Sequence, residues 1–161
     1  MKTIGSTIIM LALVPSLFAD NGKELKLTSP DGTHEIAFYQ KQVSPAVNEL
    51  CYRVDYKSQP VVNESRAGLE LDNRIWEMAL GARNLKQPAC WMDNLEVDSV
   101  TYQPETDITW QPLYGERSSV RDHYRAGTLY LSKKDNSGYR LNIEVRAYNE
   151  GVAFRYFFPE H

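Results

Sequence analysis

The sequence is poor in the residues that build metal and disulfide sites. Its 161 residues include only two cysteines, Cys51 and Cys90, and three scattered histidines. No Cys/His spacing typical of a zinc site is present, so we predict no metal site in this chain. The cysteines could pair in an oxidising compartment, but the predicted outward position of Cys51 favours two free thiols. The sequence also lacks a nucleophile elbow and a phosphate-binding loop, and we predict no catalytic residues of its own.

A basic cluster and a long apolar run are missing as well. Eighteen Lys and Arg against 21 Asp and Glu give a net charge of −3, which makes nucleic acid and anionic membranes poor partners. The apolar run Ile8–Val14 is too short to span a bilayer. With Lys2 before it and Ser16–Ala19 after it, it is typical of a secretory signal peptide, residues 1–19. We therefore expect an exported protein, periplasmic or extracellular, with one mature domain of residues 20–161 and no membrane contact after cleavage.

What the sequence does contain is alternation of apolar and polar residues, which indicates β-strands. The clearest run, residues 139–148, places Tyr139, Leu141, Ile143, Val145 and Ala147 on one face. Further strands are predicted at residues 34–40, 49–56, 68–72, 126–133 and 152–158, with turn signals at 30–32, 135–138 and 149–151. These features predict an all-β antiparallel sandwich. A short helix is expected at residues 74–80, and residues 81–94 and 103–123 are predicted to be irregular.

The second irregular stretch holds the candidate functional residues. Aromatic rings can stack on sugars and charged groups can bind sugar hydroxyls, and this stretch supplies both kinds of side chain. The candidates for contacting a substrate or an interface are Trp110, Tyr114, Glu116, Arg121 and His123. Long loops in compact domains are often functional or packed against another part of a protein.

Two carboxylates in this stretch have alternative interpretations. Glu116 and Asp122 could form a pair for glycoside hydrolysis. They could instead form structural ion pairs, because Arg117 and Arg121 are near them in sequence, and we favour this second interpretation. His123 is similarly expected to be a hydrogen-bonded structural residue rather than a general base.

Four segments resemble one known family. They are Leu27–Gly32, Gly68–Leu71, Trp110–Glu116 with Val120–Tyr124, and Arg146–Tyr156 followed by Phe158 and Pro159. In this order they resemble the N-terminal domain of glycoside hydrolase family 97, which comprises bacterial α-glucosidases and α-galactosidases. The resemblance implies a β-super-sandwich that is similar to galactose mutarotase and packs on a downstream (β/α)8 catalytic barrel.

The resemblance also implies where the chemistry lies. The barrel of such enzymes supplies the catalytic carboxylates, and a calcium ion is expected in the full-length enzyme. One of its glutamate ligands lies beyond the segments matched here, so no catalytic or calcium-binding residue is transferred to this sequence. Because the chain ends directly after an apolar strand, we expect a truncated or fragmentary chain.

Four functions follow as hypotheses. The first is an accessory domain of an α-glycosidase that acts on α-linked oligosaccharides, with no catalysis of its own. The second is a free-standing carbohydrate-binding module, and the third is a mutarotase-like epimerase that would use His123 and Glu116. The fourth is a purely structural or interaction domain.

Overall fold

A computed structural model describes residues 23–45, 47–70, 91–92, 94–134 and 138–159. Several predictions therefore lie outside the described residues: the signal peptide, the helix at 74–80, Leu71 and Asp72 of the predicted strand at 68–72, most of the stretch 81–94, and Cys90. In the described part of the chain, no helix is long and apolar enough to cross a membrane.

The fold consists of two four-stranded antiparallel sheets, each with its strands in sequence order. The first sheet contains β1 (Glu24–Thr28), β2 (His34–Ser44), β3 (Val47–Tyr56) and β4 (Gln59–Arg66). The second contains β5 (Leu95–Trp110), β6 (Val120–Lys133), β7 (Arg140–Tyr148) and β8 (Gly151–Phe157). The predicted all-β, antiparallel sandwich is confirmed.

The core lies between the two sheets and follows the period-two pattern. From the first sheet it receives Leu25, Leu27, Ile36, Phe38, Leu50 and Val54, and from the second Leu95, Val97, Leu129, Leu131, Leu141, Ile143, Val145 and Ala147. The face predicted for residues 139–148 is therefore correct. Gly127 allows β1 to approach β6 closely, because a Cβ there would lie 3.2 Å from Leu25 Cδ1.

A turn in the first sheet is tied to a turn in the second. The Asp31 carboxylate accepts hydrogen bonds from the Ser29 hydroxyl at 2.6 Å and the Thr33 backbone N–H at 2.9 Å. These bonds lower the pKa of Asp31 to about 2. The Asp31 backbone N–H donates to the Asn149 side chain at 3.0 Å, next to the β7–β8 turn. The predicted turns at 30–32 and 149–151 thus hold one end of the sandwich together.

Cys51 lies on the outward face of β3 as predicted, yet its side chain is only 2% exposed. Its cross-strand neighbours are Tyr39 and Arg66, long side chains that can cover a small thiol. Burial raises the pKa of the Cys51 thiol, which keeps it protonated. Since Cys90 is outside the described residues, the choice between a disulfide and free thiols stays a prediction.

Candidate functional site: a projecting arm

The candidate residues lie on an extension of the second sheet. The prediction that residues 103–123 are irregular is wrong, because β5 and β6 pair from Leu95 and Lys133 to Trp110 and Val120. Only residues 111–119 lie outside the strands. We call residues 103–125 the arm and residues 111–119 its tip.

The alternation of apolar and polar residues does not predict these strands, because β5 contains two bulges. The register shifts between Val97 and Ser99 and again between Gln103 and Thr106. Each bulge inserts one extra residue into β5, so the residues that face the core change parity along the strand. Pro104 lies in the second bulge, where a missing N–H does little harm to the ladder.

The outer part of the arm has only two strands. β7 pairs with β6 as far as Tyr148 and Tyr124, and beyond that point β6 pairs with β5 alone. An isolated two-stranded ribbon is marginally stable in water. The ribbon therefore depends on side-chain pairs between its two strands.

Ion pairs occupy the inner face of the arm, which continues the core-facing side of the sheet. Asp107 accepts two hydrogen bonds from Arg121, 2.7 Å from Nε and 2.6 Å from Nη2. This bidentate arrangement lowers the pKa of Asp107 and raises that of Arg121. Both side chains are exposed, so the pair fixes geometry more than it adds to global stability.

The second inner-face group is centred on Glu105. Its two carboxylate oxygens contact His123 Nε2 at 2.7 Å and Arg125 Nε at 2.9 Å. The hydrogen bond to His123 and then that to Arg125 lower the pKa of Glu105. His123 Nδ1 is buried and has no hydrogen-bond partner among the described residues. His123 is thus hydrogen-bonded through Nε2, and its structural role stays a prediction.

The outer face of the arm is partly aromatic. Trp110 and Ile108 are 51% and 54% exposed on this face. Nearby, the rings of Tyr124 and Tyr148 have centroids 5.2 Å apart, and the Arg146 guanidinium lies 4.4 Å from the Tyr124 ring centroid. Because Arg146 covers Tyr124, Trp110 is the better-exposed ring for an external contact.

The tip places apolar side chains in solvent. Leu113 is 99% exposed and Tyr114 is 90% exposed. Glu116 lies in the same segment and is also exposed. Two neighbouring large side chains in solvent at the end of a projection are available to contact another surface.

The structure divides the five candidates among three places. Arg121 and His123 are on the inner face, Trp110 is on the outer face, and Tyr114 and Glu116 are in the tip. The carboxylate that pairs with Arg121 is Asp107 and the one that pairs with His123 is Glu105, so neither candidate is paired with Glu116 or Asp122.

The sequence pattern does not single out Glu105 and Asp107 as partners of the candidate residues. The available signal is that acids occupy alternate positions in Glu105-Thr106-Asp107, and that bases occupy alternate positions in Arg121-Asp122-His123. It becomes visible only once the two segments are recognised as paired strands. Among the described residues, no group of three or more His, Cys, Asp or Glu side chains could hold a metal ion.

Comparison with known proteins places this fold in a family. Residues 27–161 match the family described as Glycosyl-hydrolase 97 N-terminal. The chain belongs to that family. The predicted resemblance is thereby confirmed.

Relatives of this glycosyl-hydrolase 97 N-terminal domain are much longer. A retaining α-galactosidase from Bacteroides thetaiotaomicron is 25% identical over 150 residues, which are 93% of this chain and 19% of the relative. A solved glycoside hydrolase family 97 enzyme from Pseudoalteromonas sp. strain K8, in complex with panose, is 26% identical with a TM-score of 0.67. That similarity covers 85% of this chain and 18% of the enzyme.

A more distant similarity supports the fold alone. A solved β-arabinopyranosidase is 20% identical with a TM-score of 0.63. The domain therefore spans about a fifth of the length of the relatives it matches.

Proposed function

We propose that this chain is the N-terminal accessory domain of an exported α-glycosidase, of the type that degrades starch and other α-linked oligosaccharides. It supports a downstream (β/α)8 barrel, helps to shape the sugar pocket and is not catalytic by itself. The family membership supports this proposal, as do the relatives: one is a retaining α-galactosidase, and another was solved with panose. In each of them, more than four-fifths of the protein lies outside the matched region.

The arm is the structural feature that best supports the role of an accessory domain. It projects beyond β7, its inner face is held by the Asp107–Arg121 and Glu105–His123 pairs, and its tip exposes Leu113 and Tyr114. A pre-organised projection with an apolar end contacts another surface at little entropic cost. We assign that surface to the barrel, beside the sugar pocket.

Two further parts of the proposal concern the whole protein. The signal-like residues 1–19 would direct the protein to the periplasm or the cell exterior. A calcium ion in the full-length enzyme would be bound outside the residues described here and would supply Lewis-acid chemistry to the catalytic domain.

A free-standing carbohydrate-binding module is the alternative, and one observation favours it. Trp110 and Tyr114 are exposed aromatic rings on the same arm, and exposed rings are what a sugar-stacking surface needs. Calorimetric titration of the purified chain with maltooligosaccharides separates the two functions. Saturable binding that is lost in Trp110→Ala supports the module, whereas flat heats support the accessory domain.

The first test is an immunoblot of source cells with antibody against residues 20–161. We expect a band several-fold larger than this chain, and the protein captured by that antibody should hydrolyse an aryl α-glucoside or α-galactoside. The purified chain alone should show no turnover above the buffer rate. Turnover by the chain alone, abolished by unfolding it, would contradict the accessory role.

A further inference from the structure

The outer faces of the two sheets differ in how their carboxylates are partnered. On the first sheet, Glu35, Glu49 and Glu64 each form an ion pair with a Lys or Arg side chain of another strand. A surface that satisfies its own charges gains little from a partner, because docking would remove these pairs from water without adding a new one. The outer face of the first sheet is therefore poorly suited to docking.

Asp122, on the outer face of the arm, is a carboxylate of a different kind. It forms no hydrogen bond or ion pair with any residue that the structure describes, whereas Glu105 and Asp107 on the inner face both do. Arg146 is close enough to interact electrostatically with Asp122, but its guanidinium donates to the Tyr148 hydroxyl at 3.3 Å. The Asp122 carboxylate is therefore open to an additional cation.

Apolar side chains surround this carboxylate. Ile108 lies directly opposite Asp122 across the ladder, and Trp110, which lies opposite Val120, is its diagonal neighbour. Both Ile108 and Trp110 are more than half exposed. We call Ile108, Trp110, Val120 and Asp122 the outer patch. Diagonal neighbours in a ladder are about 7–8 Å apart, so one long basic side chain can reach both the carboxylate and the indole ring.

The outer patch is held on a regular backbone. From Thr106 and Tyr124 to Trp110 and Val120 the two strands pair without a register shift. The inner-face ion pairs hold the other side of the same ribbon. Fixed side-chain positions reduce the entropy that is lost on docking. The patch also lies well inside the continuously described residues 94–134, so no undescribed residue adjoins it in sequence.

We propose that the outer patch docks the catalytic part of the same protein, and that the docked surface presents an Arg or Lys side chain to Asp122 among apolar groups. The cation pairs with the carboxylate and lies against the Trp110 ring, because indole attracts cations better than the other aromatic rings do. A carboxylate is costly to bury without a cation, so charge complementarity defines the partner's side chain. This inference rests on the proposed function and adds to it the face of the arm that is used.

The size of the outer patch favours an occupant in the same protein. Its four side chains are far fewer than the roughly 20–30 residues on each side of a stable interface between separate proteins. A covalently linked domain needs less contact area, because the linkage raises its effective concentration to about the millimolar range. Leu113 and Tyr114 of the tip are exposed on the same ribbon and extend the contact.

Hydrogen exchange of the arm tests the proposal in the complete protein, expressed with its native downstream region. Residues 106–110 should exchange about tenfold more slowly there than in the purified chain. In the complete protein Asp122→Lys should remove most of this difference, because it sets a cation against the partner's cation, and Asp122→Asn should remove less. In the purified chain both variants should leave the exchange of residues 106–110 nearly unchanged.

Glu96 provides the matched control. It is an exposed carboxylate on the outward side of β5, at the end remote from the arm, and it forms no ion pair or hydrogen bond with the described residues. Glu96→Lys should leave the exchange of the arm unchanged in both proteins. Photo-crosslinking from p-benzoylphenylalanine at position 108 identifies the occupant. We expect the cross-linked peptide to belong to the downstream part of the same chain and to contain Arg or Lys.

The outcomes separate this inference from the proposed function. Equal exchange of residues 106–110 in the complete protein and in the purified chain would overturn the inference and leave the proposed function standing. A cross-link to a second copy or to a separate protein would do the same, as would an exchange difference that Asp122→Lys and Glu96→Lys reduce equally. If source cells contain no protein larger than this chain, the proposed function fails and this inference fails with it.

Discussion

β6 passes through two different environments within one continuous strand. Between Ala126 and Leu131 it lies at the centre of the sandwich, with Leu129 and Leu131 fully buried. Between Val120 and Arg125 it is part of the arm, where paired charges replace apolar packing. The difference shows that the same backbone ladder can be held by burial at one end and by cross-strand ion pairs at the other. The core half should govern global stability, and the arm half should govern only its own order.

The largest expected effect comes from removing the same apolar atoms in both regions. Ile143→Ala empties a fully buried site and should lower the free energy of unfolding by about 3 kcal/mol. Ile108→Ala, in the exposed arm, should change it by less than about 0.5 kcal/mol. Urea unfolding followed by fluorescence measures both. Equal losses for the two variants would show that the arm belongs to the core.

A second contrast uses two glycines with positive φ. At Gly68 a Cβ would lie 2.4 Å from the Trp91 carbonyl oxygen, and the Gly68 N–H donates to the Tyr156 hydroxyl. Gly68→Ala should therefore cost about 2 kcal/mol of unfolding free energy. At Gly115 in the tip a Cβ meets no atom within 4 Å, so Gly115→Ala should cost only local strain, about 1 kcal/mol. Thermal unfolding of both variants tests this order, and a reversed order would refute it.

Acid should loosen the arm before the core. Because the pKa of Glu105 is lowered in the folded state, the stabilisation that its carboxylate gives to the arm is fully present above the ordinary pKa of 4.5. This stabilisation is lost as the pH falls through the lowered pKa of the folded state. Hydrogen exchange, corrected for the intrinsic rate at each pH, should show protection falling in the arm while β7 stays protected. Glu105→Gln should reproduce this loss at neutral pH. Uniform loss of protection across both regions would contradict the expectation.

The smallest effect is expected from Asp107→Asn. It removes the charge that pairs with Arg121 at the outer end of the ribbon, where both side chains are exposed. Amide protection near the tip should fall slightly, and the melting temperature should be nearly unchanged. In about 1 M salt, which screens exposed pairs, the wild-type arm should approach the variant. A melting shift as large as that of Ile143→Ala would count against this assignment.

The sandwich could be predicted because its core half obeys one simple rule. In β7 the inward positions from Leu141 to Ala147 are apolar and the outward positions from Arg140 to Arg146 are polar, so the pattern predicts the correct face. The arm could not be predicted in this way. Its inner face is charged, its outer face is partly aromatic, and neither face is buried enough to produce a pattern.

The candidate residues lie in a segment whose form the sequence pattern predicts wrongly. Trp110, Tyr114 and Arg121 do lie on a projecting element. Their distribution over two faces and a tip depends on the β5–β6 register, which follows from pairing rather than from local sequence. For the same reason Asp107 and Glu105, the partners of Arg121 and His123, were not foreseen.

The two bulges in β5 have a consequence for how this domain can change in evolution. Inward positions on β5 are odd-numbered at Val97, even-numbered at Val100 and Tyr102, and odd-numbered again at Asp107. Each bulge thus changes whether the odd-numbered or the even-numbered residues of β5 face inward. A lineage that deleted the extra residue at the second bulge would keep the core and the pairing of the arm, because Asp107 would still lie opposite His123 and Ile108 opposite Asp122. One lost codon at this bulge could therefore straighten β5 while the charged and aromatic surfaces of the arm stay on their own faces, since pairing with β6 sets those faces.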